Sequence, residues 1–275
     1  MMNKFFAIPV LLSAGLALLT SCSSDSVDGN PDYFRKGAFV EENDGKSICY
    51  ITNDDGTVSV TWDRVNTTYF MVEQTYTGEI TVPATVEHDG TTYQVTGVDD
   101  YAFYNCSKLT SLVLSEGIKT LSPKALTRAT KLTNLYLPAT LTSMETLDKS
   151  LLSSMSALVS VHLPGVKAIG DSAVYNRGKL TSVEIPSTVE TIGVGAFARC
   201  GRLTALTIPA SVTAIGEKCF DASKITTYHV QAAVPPTMGG ALYNASKTTL
   251  YVPTGSLEAY KNDPVWGKCK TIKEE

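Results

Sequence analysis

At 275 residues the chain is long enough for one large domain or two small ones, and its hydrophobic fraction of 43% places it among folded globular proteins. A formal net charge of -4 excludes a strong overall positive field, and no Lys/Arg-rich run occurs anywhere along it. Nucleic acid is therefore not an expected partner.

The chain opens with one charged residue, Lys4, an apolar run over residues 5–19, and the small residues Thr20 and Ser21 before Cys22. That pattern predicts a signal peptide over residues 1–21, too short and too one-sided for a membrane span. Leu19-Thr20-Ser21-Cys22 resembles the lipobox of bacterial lipoproteins, in which the cysteine thiol takes a diacylglycerol and becomes the new N-terminus after cleavage. The resemblance implies lipidation at Cys22 and attachment to the membrane by that lipid, since each buried methylene contributes about 0.8 kcal/mol. It implies an outer-membrane lipoprotein, expected at the cell surface, with a periplasm-facing orientation as the alternative. Residues 23–32 (SSDSVDGNPD) are small, polar and acidic, so a flexible tether is expected over residues 22–34.

Within residues 35–78 three segments alternate apolar and polar residues, at 47–51, 57–62 and 69–74, with Asp54-Asp55-Gly56 between the first two. This is a hairpin signal and predicts an N-terminal β cap. The acidic residues there lack the spacing of a dedicated calcium loop and are read as a turn.

From residue 79 to 253 one phrase recurs. Its clearest copies are LTSVEIPSTVETIGVGAFARCGRL, starting at Leu180, and LTALTIPASVTAIGEKCFDASKI, starting at Leu203. Aligned on the first inward strand residue, the copies give Ile80, Leu112, Leu135, Val161, Val183, Leu206, Tyr228 and Leu250. A second apolar residue follows two places on, and in most copies a proline comes next, as at Pro138, Pro186 and Pro209. Two apolar residues flanking one polar residue make a short strand, and proline ends it by withholding a ladder donor. Strands of successive coils then stack in a parallel sheet. The return path carries Ile-Gly at Ile169, Ile192 and Ile215, with Gly170, Gly193 and Gly216 expected at positive-φ turns, and an Ala-Phe step such as Ala196-Phe197. One coil cannot bury enough surface to fold alone, so stability must come from stacking.

These residues closely resemble the BspA-like leucine-rich-repeat family of bacterial surface proteins, whose phrase runs L-T-x-V-x-I-P-x-x-V-x-x-I-G-x-x-A-F-x-x-C. The resemblance covers about two thirds of the chain. It implies an α/β-type repeat solenoid: a right-handed leucine-rich-repeat coil stack with a parallel sheet, closed by the N-terminal β-hairpin cap and a C-terminal cap. Two departures are expected as local bulges, the extra residues between Leu135 and Val161 and the Val234-Pro235-Pro236 step. Residues 254–275 resemble the family's terminal unit, with Tyr260, Trp266 and Ile272 closing the last coil.

Once Cys22 is lipidated, five cysteines remain, an odd number, so at least one is free or intermolecular. No C-x-x-C spacing occurs and His88, His162 and His229 are not clustered near them, so no metal or cofactor is expected. Cys106 and Cys200 share one repeat position as small core residues, four coils or about 19 Å apart, too far to bridge.

Strand alternation turns Val113, Tyr136, His162, Glu184, Thr207, His229 and Tyr251 outward in one row, beside a second row running from Ser111 and Asn134 through Ser160 and Ser182. Ser160 or Ser182 with His162 and Glu184 has the composition of a hydrolase triad, but a water-exposed sheet offers neither an oxyanion hole nor an orienting shell. No enzyme is expected and no catalytic residue is assigned. The candidate ligand contacts are Tyr136, His162, Glu184, His229 and Tyr251, on a broad, rigid face suited to protein recognition. The family resemblance implies adhesion to host or extracellular matrix proteins; carbohydrate binding through tyrosines stacked on sugar rings is the alternative.

Cys22→Ser is expected to abolish membrane attachment, leaving soluble protein or retained precursor. Detergent phase partitioning of fractionated cells measures this, and unchanged partitioning of the variant would rule out the anchor.

Overall fold

The computed structural model describes residues 38–61, 76–141, 146, 147, 149–163 and 165–275. The signal peptide, Cys22, the tether and the segment 69–74 lie outside the described residues. β1 (Ala38–Asn43), β2 (Lys46–Thr52) and β3 (Val58–Val60) form an antiparallel meander. The β1–β2 loop is Asp44-Gly45, with φ of 49° and 72°, a pairing that matches the twist of two-residue hairpins. Between β2 and β3, the Asp55 carboxylate accepts from the Thr57 amide at 3.0 Å and hydroxyl at 2.6 Å, which holds it below the usual carboxylate range. The Asp54-Asp55-Gly56 segment is a turn.

From β4 (Thr77–Val82) the chain coils. β4 leads into a second Asp-Gly hairpin, β5 (Thr85–His88) and β6 (Thr91–Val98), and β6 pairs in parallel with β3. Each later coil supplies a front strand and a two-residue back strand. In chain order these are β7 (Lys108–Leu114) with β8 (Thr120–Leu121), and β9 (Asn134–Tyr136) with β10 (Thr146–Leu147). After the one-turn helix α1 (Lys149–Leu152) come β11 (Ser160–His162) with β12 (Ala168–Ile169), and β13 (Ser182–Glu184) with β14 (Thr191–Ile192). They continue as β15 (Ala205–Ile208) with β16 (Ala214–Ile215), and β17 (Thr227–Val230) with β18 (Thr237–Met238). β19 (Thr249–Val252), α2 (Leu257–Asn262) and β20 (Thr271–Glu274) close the stack. The front strands pair in parallel as β4-β7-β9-β11-β13 and as β15-β17-β19-β20, and the back strands as β10-β12-β14-β16-β18.

The result is a parallel-strand β-solenoid of about seven turns. The expected α/β character is not found: among the described residues the α-helices are α1 and α2, of four and six residues. The Ala-Phe step explains why. Phe103, Leu126, Val174, Phe197 and Phe220 are buried, but two residues beyond each the backbone turns left-handed, at Asn105, Arg128, Asn176, Arg199 and Ala222, with φ between 53° and 65°. A left-handed residue ends a helical turn before a second can form.

The repeat glycines have a different purpose from the one expected. Gly193 and Gly216 do not adopt positive φ; they follow the back strands where neighbouring coils approach most closely. A Cβ on Gly216 would lie 2.5 Å from the Val194 nitrogen and 2.6 Å from the Gly193 carbonyl carbon, both backbone atoms. The Gly216 amide donates to the Ile192 carbonyl at 2.7 Å, one coil back, and Gly193 does the same to Ile169. Absence of a side chain permits that stacking distance.

Inside, Ile80, Leu112, Leu135, Val161, Leu206 and Leu250 are all buried, as alternation requires, while Val183, where front pairing stops, is half-buried. The extra residues after Leu135 are partly taken up by α1. The Val234-Pro235-Pro236 step is held from behind by the C-terminal unit: Tyr260 Oη donates to the Ala232 carbonyl at 2.8 Å and Trp266 Nε1 to the Pro236 carbonyl at 2.9 Å. Tyr260 and Trp266 are fully buried; Ile272 is half-buried.

Gly216→Ala is expected to destabilise by about 1–3 kcal/mol through overpacking against unyielding backbone. Gly201→Ala, whose Cβ would meet nothing within 4 Å, should leave stability nearly unchanged. Thermal melts of the two variants compare them directly, and equal midpoints would reject the close-approach reading.

Candidate functional site

The outward row is assembled as two runs. Strand registers place Val113 beside Tyr136, Tyr136 beside His162, and His162 beside Glu184. A second run places Thr207 beside His229, His229 beside Tyr251, and Tyr251 beside Lys273. Front pairing is interrupted between Glu184 and Thr207, so the five candidate residues form two groups and not one continuous ladder.

The two groups share one chemistry. Tyr136 and His162 stack with ring centroids 4.3 Å apart and planes 3° off parallel; His229 and Tyr251 stack at 4.7 Å and 5°. His162 Nδ1 lies 3.1 Å from Glu184 Oε2, and His229 Nδ1 lies 2.8 Å from Glu275 Oε2. An ionised carboxylate only accepts, so each imidazole donates from Nδ1 and presents Nε2 away from its glutamate. The third histidine repeats the arrangement in the N-terminal unit, where His88 stacks on Phe39 at 3.9 Å and bonds Glu41 at 2.7 Å. There it joins β5 to β1, closing the rim of the N-terminal sheet.

These stacks decide what the face offers. The rings stand on edge along the solenoid, each tyrosine with one face covered by an imidazole. Tyr136 is 43% exposed and Tyr251 half-buried. The two rows from Ser111 and Val113 to Ser182 and Glu184 line a shallow trough of about 450 Å³. The Ser160 hydroxyl donates to Asn134 Oδ1 at 2.7 Å, away from His162, so the serine and histidine are not joined as nucleophile and base.

Glu275 and Lys273 were not among the residues expected at this face. The signal for them lies in coil length: Thr227 pairs with Thr249 and Thr249 with Thr271, so one more repeat step beyond Tyr251 reaches Lys273.

The family model for the BspA-type leucine-rich repeat region matches residues 86–173 and 143–249, in six copies. The chain belongs to the BspA-type leucine-rich-repeat family. No curated protein matches it. Among solved structures, a leucine-rich repeat protein from Bacteroides ovatus is 18% identical with a TM-score of 0.46, covering 83% of this chain and 75% of that one. A leucine-rich cell surface protein from Faecalibacterium prausnitzii is 22% identical with a TM-score of 0.45, covering 86% of this chain and 54% of its own. A leucine-rich repeat protein from Eubacterium ventriosum is 22% identical with a TM-score of 0.46, covering 64% of this chain and 50% of its own. At such identities and scores, family membership rests on the repeat match.

No group of histidines, cysteines and carboxylates able to hold a metal ion occurs among the described residues, and none of their helices is long and apolar enough to cross a membrane. Cys49, Cys106, Cys200, Cys219 and Cys269 are all buried, and Cys106 and Cys200 are not bridged to each other. Desolvation pushes the Cys200 thiol up to about 11, Cys219 up to about 12 and Cys269 up to about 11. Because only the thiolate is nucleophilic, a raised pKa leaves these groups protonated and unreactive below pH 9 or so. Iodoacetamide at neutral pH is expected to leave Cys200, Cys219 and Cys269 unmodified in the native protein and to label all three after guanidinium unfolding, as read by intact mass.

Proposed function

We propose that this chain is a lipid-anchored binding module of the cell envelope that recognises a protein partner, such as a host or extracellular matrix protein, through the front face of its solenoid. The observation that carries this reading is the pair of tyrosine–histidine–glutamate groups, Tyr136–His162–Glu184 and Tyr251–His229–Glu275, fixed by stacking and hydrogen bonds on a rigid parallel sheet. Side chains already ordered in the free protein lose little entropy on binding. Aromatic residues with polar handles are the usual anchors of protein interfaces.

Protein recognition is favoured over sugar stacking because each tyrosine already has one ring face covered by a histidine, which halves the aromatic platform open to a sugar. Membership in the BspA-type repeat family supports a binding scaffold and not an enzyme. The lipobox-like segment ending at Cys22 supports an outer-membrane lipoprotein displayed at the cell surface.

The test is a panel of extracellular matrix proteins screened with the wild-type chain and with Tyr136→Ser/His162→Ser/His229→Ser. A ligand of this face should lose at least about tenfold in affinity, a loss of roughly 1.4 kcal/mol, because anchor residues dominate such contacts. Melting temperature should move little, since all three side chains lie on the outward face and not in the core, and surface substitutions usually stay within about 0.5 kcal/mol each. Equal binding by both proteins would place the contact on another wall.

A further inference from the structure

A second surface is built by the same register, at the corner where each coil leaves the turn wall and enters its front strand. Three residues before the front-strand residues Ser111, Asn134, Ser160 and Ser182, which pair in one run, and Ala205 and Thr227, which pair in the next, stand Lys108, Lys131, Ala157, Lys179, Arg202 and Lys224. Five of six successive coils thus carry an exposed cation at one position. The chain segments along this corner, residues 105–110, 128–133, 176–181, 199–204 and 222–226, contain no aspartate or glutamate. Lys131, Lys179, Arg202 and Lys224 form no ion pair among the described residues. A molecule with a formal charge of -4 has therefore gathered a single file of positive charge on one edge.

Lys108 and Lys131, and Arg202 and Lys224, belong to coils whose front strands pair, about 4.8 Å apart, while Ala157 leaves a gap before Lys179 and front pairing is interrupted before Arg202. Like charges gathered along one edge repel each other, and that cost is relieved when a polyanion lies along them. Two guanidinium groups in the same segments are already held in place: Arg199 lies over the Tyr175 ring at 5.8 Å and Arg128 over Tyr104 at 5.7 Å. These cations cover ring faces on which nucleic-acid bases would otherwise stack. Beside the file runs the hydroxyl- and amide-bearing row Ser111, Asn134, Ser160, Ser182 and Thr227, able to bond sugar hydroxyls. A single file matches a linear chain better than a flat bilayer.

We propose that this edge binds an extended acidic polysaccharide, sulfated or carboxylated, running along the stack with its anionic groups on Lys131, Lys179, Arg202 and Lys224. The cation file stands apart from the tyrosine–histidine groups, although the hydroxyl row beside it borders their trough, and its charge does not depend on them.

The full chain is titrated with heparin, with neutral dextran and with a single-stranded oligonucleotide of matched charge, over a range of NaCl concentrations. Heparin should bind with an affinity that falls as salt rises, and dextran should not bind. The variant Lys131→Gln/Lys179→Gln/Arg202→Gln/Lys224→Gln should bind heparin about tenfold or more weakly, with a shallower salt dependence. Its melting temperature should match wild type, and Lys119→Gln/Lys167→Gln, which alters back-wall lysines, should bind heparin like wild type. The front-face variant Tyr136→Ser/His162→Ser/His229→Ser should retain heparin binding, which separates this site from the protein-binding face. No heparin binding by the wild type, equal binding by the fourfold variant, or tighter binding of the oligonucleotide than of heparin would each overturn the proposal.

Discussion

Close backbone stacking of one coil on the next governs the rest of this molecule, because no coil can bury its own core. The inward pair of each front strand, the Ala-Phe step and the back-strand isoleucine bury their surfaces only when the coils above and below are one strand spacing away. That distance is enforced on the back wall, where Gly193 and Gly216 leave room for the preceding coil's backbone to come within contact range. Hydrogen bonds from these glycine amides to Ile169 and Ile192 then fix the register. Where coils depart from the standard length, other devices restore it: α1 in one case, and in the other the Tyr260 and Trp266 bonds that hold the proline-rich step.

Register is also what converts unremarkable side chains into surfaces. A tyrosine, a histidine and a glutamate lying about a coil apart in sequence become nearest neighbours, and the rings stack because parallel strands present equivalent positions side by side. The same rule applied five residues earlier lines up lysines and an arginine. Stacking therefore writes function by column: each position of the repeat becomes a stripe, and its chemistry is set by what that column tolerates. Inward columns admit only apolar groups; outward columns are free to accumulate aromatic, hydroxyl or cationic character.

Much of this was legible in the chain. The inward and outward assignment of Leu135, Tyr136, Val161 and His162 followed from alternation alone, since strand faces repeat every second residue. The closing role of Trp266 and Tyr260 is what the resemblance of residues 254–275 to the family's terminal unit implies, and both are buried. The two-residue hairpin loops Asp44-Gly45 and Asp89-Gly90 carry as clear a turn signal as Asp54-Asp55-Gly56. The α/β character that the family resemblance implies is absent because the left-handed residues after each Ala-Phe step, including an arginine and an alanine, stop a helix there.

The sequence by itself determined the repeat, its apolar columns and hence which side chains face solvent, because periodic burial is a local property of each strand. Tertiary structure alone decided which of those solvent-facing residues touch. It split the outward row between Glu184 and Thr207, since strand pairing depends on how two coils settle against each other. It brought Glu275 to His229, a contact spanning two coils. It also gathered scattered cations of a net acidic chain onto one edge, because charge per residue is additive along the sequence whereas the field at a surface depends on which charges the fold sets side by side.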